Sequence, residues 1–155
     1  MTPLITANQL EEILNSGENV LVCDCRFDLL DPLAGRKSYL EGHIPGALYV
    51  DLDQDLSGTK TDKNGRHPLP TPEAWAQTKS RLGIDSKTLV IAYDNQGSVY
   101  ASRLWWMLKA TGHANVQVLD GGLDAWNGPI GTLPRQPQAT STPVPSMPYV
   151  GLVLV

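Results

Sequence analysis

The residues whose types and spacing best suit chemistry form one run, Tyr93-Asp94-Asn95-Gln96-Gly97-Ser98-Val99. An apolar, β-branched stretch (LVIAY) precedes it and a helical pattern follows, so Asp94 sits where a strand turns into a helix. Unpaired backbone N–H groups at a helix start attract anions, with the helix dipole assisting. Three roles are open to Asp94 on pattern alone: a phosphoryl-accepting nucleophile, a cap or turn former, or a replacement for some other nucleophile. The first role needs Mg²⁺ ligands beside the carboxylate. The position two residues on is Gln96, which leaves Asp24 and Asp28 to supply them.

Two further groups stand out. In Tyr39-Leu40-Glu41-Gly42-His43-Ile44-Pro45-Gly46-Ala47, His43 lies just before a strand, among turn-forming residues. A histidine there either hydrogen-bonds within its turn or faces a site. Asp24-Cys25-Arg26 closes an early strand, where an Asp–Arg pair can bridge neighbouring loops. Cys23 and Cys25 are the only cysteines. Two residues apart on a strand, they point the same way and are poorly placed for a disulfide, so they read as small core residues. That usage is expected of a reducing compartment, the cytoplasm.

The elements that must position these residues alternate. Strands are predicted at Ile5, 20–24, 47–50, 89–93 and 116–119. Helices are predicted at 7–16, with Gly17 as the stop, and at 71–83, opened by Thr71-Pro72-Glu73. Another spans 98–110, and a short one carrying Leu123 and Trp126 follows Gly121-Gly122. Trp105 and Trp106, adjacent on a helix, diverge by about 100°. One is expected to pack on the sheet and the other to cover a partner surface. Continuous apolar strands alternating with helices specify an α/β fold, a central, mainly parallel five-stranded sheet with helices on both faces. Sites in such sheets lie beyond the carboxyl ends of the strands, here after Asp24, Val50 and Tyr93.

From Pro129 the composition changes: six prolines fall within twenty residues. The domain is therefore expected to occupy 1–128, and 129–155 to be an extended, poorly packed proline-rich linker or tail. The apolar end, 149–155, is expected either to pair with an edge strand or to remain disordered. A net charge of −4 with scattered basic residues gives no footprint for nucleic acid. The first fourteen residues lack a signal-peptide pattern, and no apolar run approaches the roughly 20 residues that span a bilayer. No metal or cofactor is expected.

Taken together, LVCDCRFDL, YLEGHIPGALYVDLD, GRHPLPTPEAW, VIAYDNQGSVYASRLWWMLKATGH and VQVLDGGLDAW resemble the rhodanese family. The closer similarity is to the amino-terminal domain of tandem thiosulfate or 3-mercaptopyruvate sulfurtransferases. The segments follow family order over about residues 4–128. GHIPGA is shared by many such domains, whereas RHPLP and SRLWWMLKATGH are more specific to the tandem enzymes. The resemblance implies a site where a cysteine thiolate takes sulfane sulfur as a persulfide and passes it to cyanide or a thiol. Here that position is Asp94, with Asn95, Gln96, Gly97, Ser98 and Val99 as the surrounding loop, so this chain alone is expected to be inactive. It further implies a partner: a cysteine-bearing rhodanese domain on another polypeptide segment, or self-association through the equivalent face. Arg26, His43 and, less directly, Arg36 are the candidates to line that seam and orient a small anionic sulfur donor. A stand-alone binding or regulatory module is the alternative.

Overall fold

The computed structural model describes residues 1–61 and 65–151; the last four residues of the apolar tail lie outside them. Five strands, β1 (Leu4–Ile5), β2 (Val20–Asp24), β3 (Leu48–Tyr49), β4 (Leu89–Tyr93) and β5 (Val116–Leu119), form one sheet in the order β1-β5-β4-β2-β3. Every pairing is parallel. The α/β expectation holds, with a wholly parallel sheet.

Alternation along the strands sends side chains to two cores. From β2 and β4, Leu21, Cys23, Val90 and Ala92 face α3 (Pro72–Leu82) and α4 (Val99–Ala110), where Trp75, Leu104 and Met107 are fully buried. On the other face, Val22, Ile91 and Tyr93 pack with Leu10 of α1 (Ala7–Asn15), Tyr39 of α2 (Ala34–Glu41) and Trp126. Helices therefore cover both faces. The sequence signals at helix starts are physical caps. Thr6 and Gln9 exchange side-chain and backbone bonds in a capping box at α1. Thr71 Oγ1 accepts from Ala74 N ahead of Pro72. A single 3-10 turn, Gly122–Ala125, stands where the short last helix was predicted.

Two expectations are corrected. The segment 34–41, for which no element was predicted, is α2; it has no side-chain cap and buries only Gly35 and Tyr39. A β-carbon on Gly35 would overlap the Arg26 carbonyl and the Tyr49 hydroxyl oxygen, so close helix–strand packing rather than helix propensity holds this turn. The second correction concerns the proline-rich segment. It is extended and mostly exposed, yet it is strapped to the domain rather than poorly packed. Gly131 and His43 exchange backbone bonds of 2.8 and 2.9 Å. Arg135 N donates to Tyr39 Oη, Thr140 N to the Ser80 carbonyl, and Val144 N to Ser80 Oγ. Tyr149 stacks on Trp106, 6.0 Å between centroids, and its hydroxyl donates to the Pro70 carbonyl. Trp105 and Trp106, expected to split between the sheet and a partner surface, are both partly buried against the same core, and Trp106 is partly covered by this chain's own strap. Among the described residues no helix is long and apolar enough to cross a membrane.

Candidate functional site

The chain leaves β2 toward β3 on one side and β4 toward β5 on the other, so the sheet's switch point lies between the carboxyl ends of β2 and β4. The two segments that meet there are 24–28 and 94–99. Cys25 N donates to the Tyr93 carbonyl at 2.7 Å, extending the strand pairing into the crevice.

Asp94 is fully buried at the end of β4. Its Oδ1 accepts from Gln96 N and Ser98 N, and its Oδ2 from Tyr100 N and Ala101 N, all at 2.9 Å. The loop can aim four N–H groups inward because Gly97 and Ser98 both adopt positive φ, 72° and 68°. Ser98 is the one non-glycine residue among those described to do so, a conformation that costs about 1–3 kcal/mol. Those successive left-handed residues turn the first-turn N–H groups of α4 into a cradle, and the carboxylate fills it. The Asp94 carbonyl in turn accepts from Leu123 N, with Gly122 packed so closely that a β-carbon there would overlap that carbonyl.

Beside the cradle sits a second polar centre. Asp24, fully buried, accepts from Arg26 N, Nε and Nη2, the last at 2.7 Å, and from Tyr93 Oη at 2.8 Å. Burial drives the Tyr93 phenol far above its ordinary range, the Asp24 charge adding to the effect, so the hydroxyl remains a donor to Asp24. Arg26 also reaches the Gly42 carbonyl. Gln96 joins the two loops: its side-chain amide donates to the Phe27 carbonyl and accepts from Phe27 N. A small cleft of about 130 Å³, lined by Arg26, Phe27, Asn95 and Gln96 among others, opens between them.

The structure separates the three seam candidates. Arg26 borders this cleft, but it is 7% exposed and its guanidinium is occupied by Asp24 and Gly42. His43 is fully buried, stacked on Tyr39 at 4.0 Å, with its ring nitrogens against the Tyr39 and Leu133 carbonyl oxygens. It anchors the strap. Arg36 is exposed and lines a different cleft with Asp51, Asp55 and Arg81. What the sequence reading missed is the role of Gln96, placed there in the loop around Asp94 but not as the clamp on Phe27. Cys23 and Cys25 are buried, and burial pushes both thiols up, Cys23 to about 12.

Around this end of the sheet, four large apolar side chains on the segments leaving β2 and β4 are exposed: Leu29 at 51%, Leu30 at 95%, Leu33 at 76% and Val99 at 63%.

Comparison with known proteins places this geometry in a family context. Residues 6–129 match the family of the Rhodanese-like domain. The chain is 41% identical over 130 residues to SseB of Mycobacterium tuberculosis, a provisionally named thiosulfate sulfurtransferase, covering 84% of this chain and 45% of that protein. It is 37% identical over 145 residues to human 3-mercaptopyruvate sulfurtransferase, covering 86% and 47%. The crystal structure of SseA, a 3-mercaptopyruvate sulfurtransferase of Escherichia coli, superposes with a TM-score of 0.78 at 27% identity, covering 94% of this chain and 56% of that one. The chain thus spans about half the length of the curated relatives it matches.

Proposed function

This chain belongs to the rhodanese-like domain family, and from that premise we propose that it is the non-catalytic half of a two-domain sulfurtransferase, completing a site whose nucleophile lies on a second domain. The observation that carries this reading is the Asp94 carboxylate in its cradle of four N–H groups. An N–H cradle of this kind stabilises a thiolate or persulfide anion when a cysteine occupies it. A carboxylate satisfies the same donors but cannot accept sulfane sulfur. The loop therefore keeps its architecture without the transfer chemistry.

In the proposed assembly the partner's cysteine thiolate takes the outer sulfur of thiosulfate, releasing sulfite, or the sulfur of 3-mercaptopyruvate, releasing pyruvate. The resulting persulfide yields its sulfur to cyanide or a thiol. This chain supplies a rigid, apolar-rimmed wall through Leu29, Leu30, Leu33 and Val99. Arg26 and His43, occupied internally, act on that wall by fixing the β2–α2 and α2–β3 corners. The phosphoryl-acceptor reading gains no support: each Asp94 oxygen already accepts two N–H bonds, and Asp24 is committed to Arg26 and Tyr93.

The test is thiocyanate formation from thiosulfate and from 3-mercaptopyruvate with cyanide, using the purified chain and its Asp94→Cys variant. The expected result is no turnover by the wild type. In Asp94→Cys, incubation with thiosulfate should leave a mass gain of one sulfur atom that dithiothreitol removes. Wild-type turnover abolished by replacing Cys23 or Cys25 would overturn the reading.

A further inference from the structure

At the other end of the strands from Asp94, a cavity of about 340 Å³ lies between the domain and the strap. Lys79 from the last turn of α3, Thr111 from the end of α4 and His113 from the turn before β5 line it, facing the strap residues Val144 and Met147. Ile84 adds an apolar wall.

Lys79 is the anomaly. It is 4% exposed, and among the described residues its Nζ donates only to Thr111 Oγ1, at 3.3 Å, with the Trp75 ring centroid 5.7 Å away. The Thr111 hydroxyl also accepts from Trp75 Nε1 and itself donates to the Met107 carbonyl. An ammonium has three donors, so two are unused. The ion pairs among the described residues engage Arg26, Lys60, His67 and Arg81, never Lys79. Asp85 is the one carboxylate lining the cavity, and its Oδ1 accepts from Lys87 N and Thr88 Oγ1, closing its own turn. Burying an ammonium without a counter-ion is costly, and natural interiors pair such groups. Burial accordingly pulls the Lys79 pKa below its ordinary value. His113 Nε2 faces the Thr88 and Asn115 carbonyls, at 2.8 and 3.1 Å, and so carries its hydrogen there. A cavity of this size falls at the lower end of the range for small-molecule sites.

We propose that this cavity binds a small organic carboxylate, its oxygens accepting from Lys79 Nζ and its short hydrocarbon body lying on Ile84, Val144 and Met147. The strap forms the outer wall, held by the Ser80 contacts to Thr140 and Val144. One anionic ligand would supply the missing counter-ion, and the apolar wall selects carboxylates over inorganic anions.

The experiment titrates the chain with 4-methylpentanoate, following binding heat, melting temperature and the His113 ring signals by NMR. 4-Methylpentanamide and sulfate serve as controls. The expected result is saturable binding of the carboxylate, a raised melting temperature and a shift of the His113 signals. The amide and sulfate should bind about tenfold more weakly or worse. Lys79→Met should lose the binding while melting no lower than the wild type without ligand, because it removes an unpaired buried charge. Absence of saturable binding by the wild type, or equal binding by the amide, would overturn the proposal. So would a Lys79→Met variant that still binds, or one that melts well below the wild type.

Discussion

Removing the Asp94 carboxylate should strip acceptors from four backbone donors at once, and the loss can be apportioned. Ala101 N lies in a buried bond, whereas those of Gln96, Ser98 and Tyr100 are part-buried. A buried donor left without a partner costs about 1–3 kcal/mol. The other three can recruit water into the vacated space, each retaining a cost of about 0.5–1 kcal/mol. Asp94→Ala should therefore lose about 3–5 kcal/mol, well beyond the loss of a single cap of about 1 kcal/mol. Asp94→Asn is the sharper probe. Its amide keeps one acceptor oxygen but turns an NH₂ group toward two N–H donors, so near-isosteric shape should rescue less than half of the alanine loss. Urea denaturation followed by tryptophan fluorescence reads this directly. With a slope of about 2 kcal/mol per molar, the alanine midpoint falls by about 2 M. An alanine variant that loses less than about 1 kcal/mol, or an asparagine variant matching the wild type, would refute the reasoning.

Three other outcomes follow from the same structure. Arg26→Met leaves the buried Asp24 without its cation and should cost about 3–5 kcal/mol, while adding Asp24→Asn should recover part of it; a double-mutant cycle in urea checks this. Cys23 and Cys25 should resist a thiol reagent at about pH 8 in the native state and react only at the rate of global opening, since burial holds Cys23 at about 12. Burial, opposed by bonds to the Thr88 and Asn115 carbonyls, holds the His113 pKa below its ordinary value. The folded state thus binds fewer protons than the unfolded one, and the contribution is present above about pH 6.5 and lost as pH falls through the folded value. His113→Gln should flatten that acid-side loss, measured as urea midpoints across about pH 5–8.

Much of the frame was legible because it is local. Thr71-Pro72 announces α3 by its own chemistry, and the runs at 20–23 and 89–93 are apolar throughout because both faces of those strands are buried. Asp94 could be placed at a strand-to-helix corner for the same reason. What escaped is held by distant partners. Helix α2 has no side-chain cap and a weak apolar face, and it exists through the fit of Gly35 against Arg26 and Tyr49. The sequence leaves Arg26 and His43 open between internal bonding and a place at the seam. Their inward orientation depends on Asp24, Gly42 and Leu133, and the last lies 90 residues away. Gln96 could be placed in the loop around Asp94, but its clamping role gives no signal, because it acts on the backbone of Phe27 rather than on any side chain.

The strap also sets the order in which the protein can be completed as it is made. His43 bonds to Leu133 and Tyr39 to Arg135 across 90 and 96 residues of chain. While the ribosome is still extruding β5, the imidazole of His43 and the hydroxyl of Tyr39 lack these partners, and the corner between α2 and β3 stands open. That corner can seal only when residues near 135 emerge, and the cavity floored by Lys79 gains its outer wall later still. Synthesis thus passes through a stage at which the sheet is complete and the two anchors hold only their local bonds, Tyr39 to Ala47 and His43 to Tyr39, a stage open to misassembly or to capture by a chaperone.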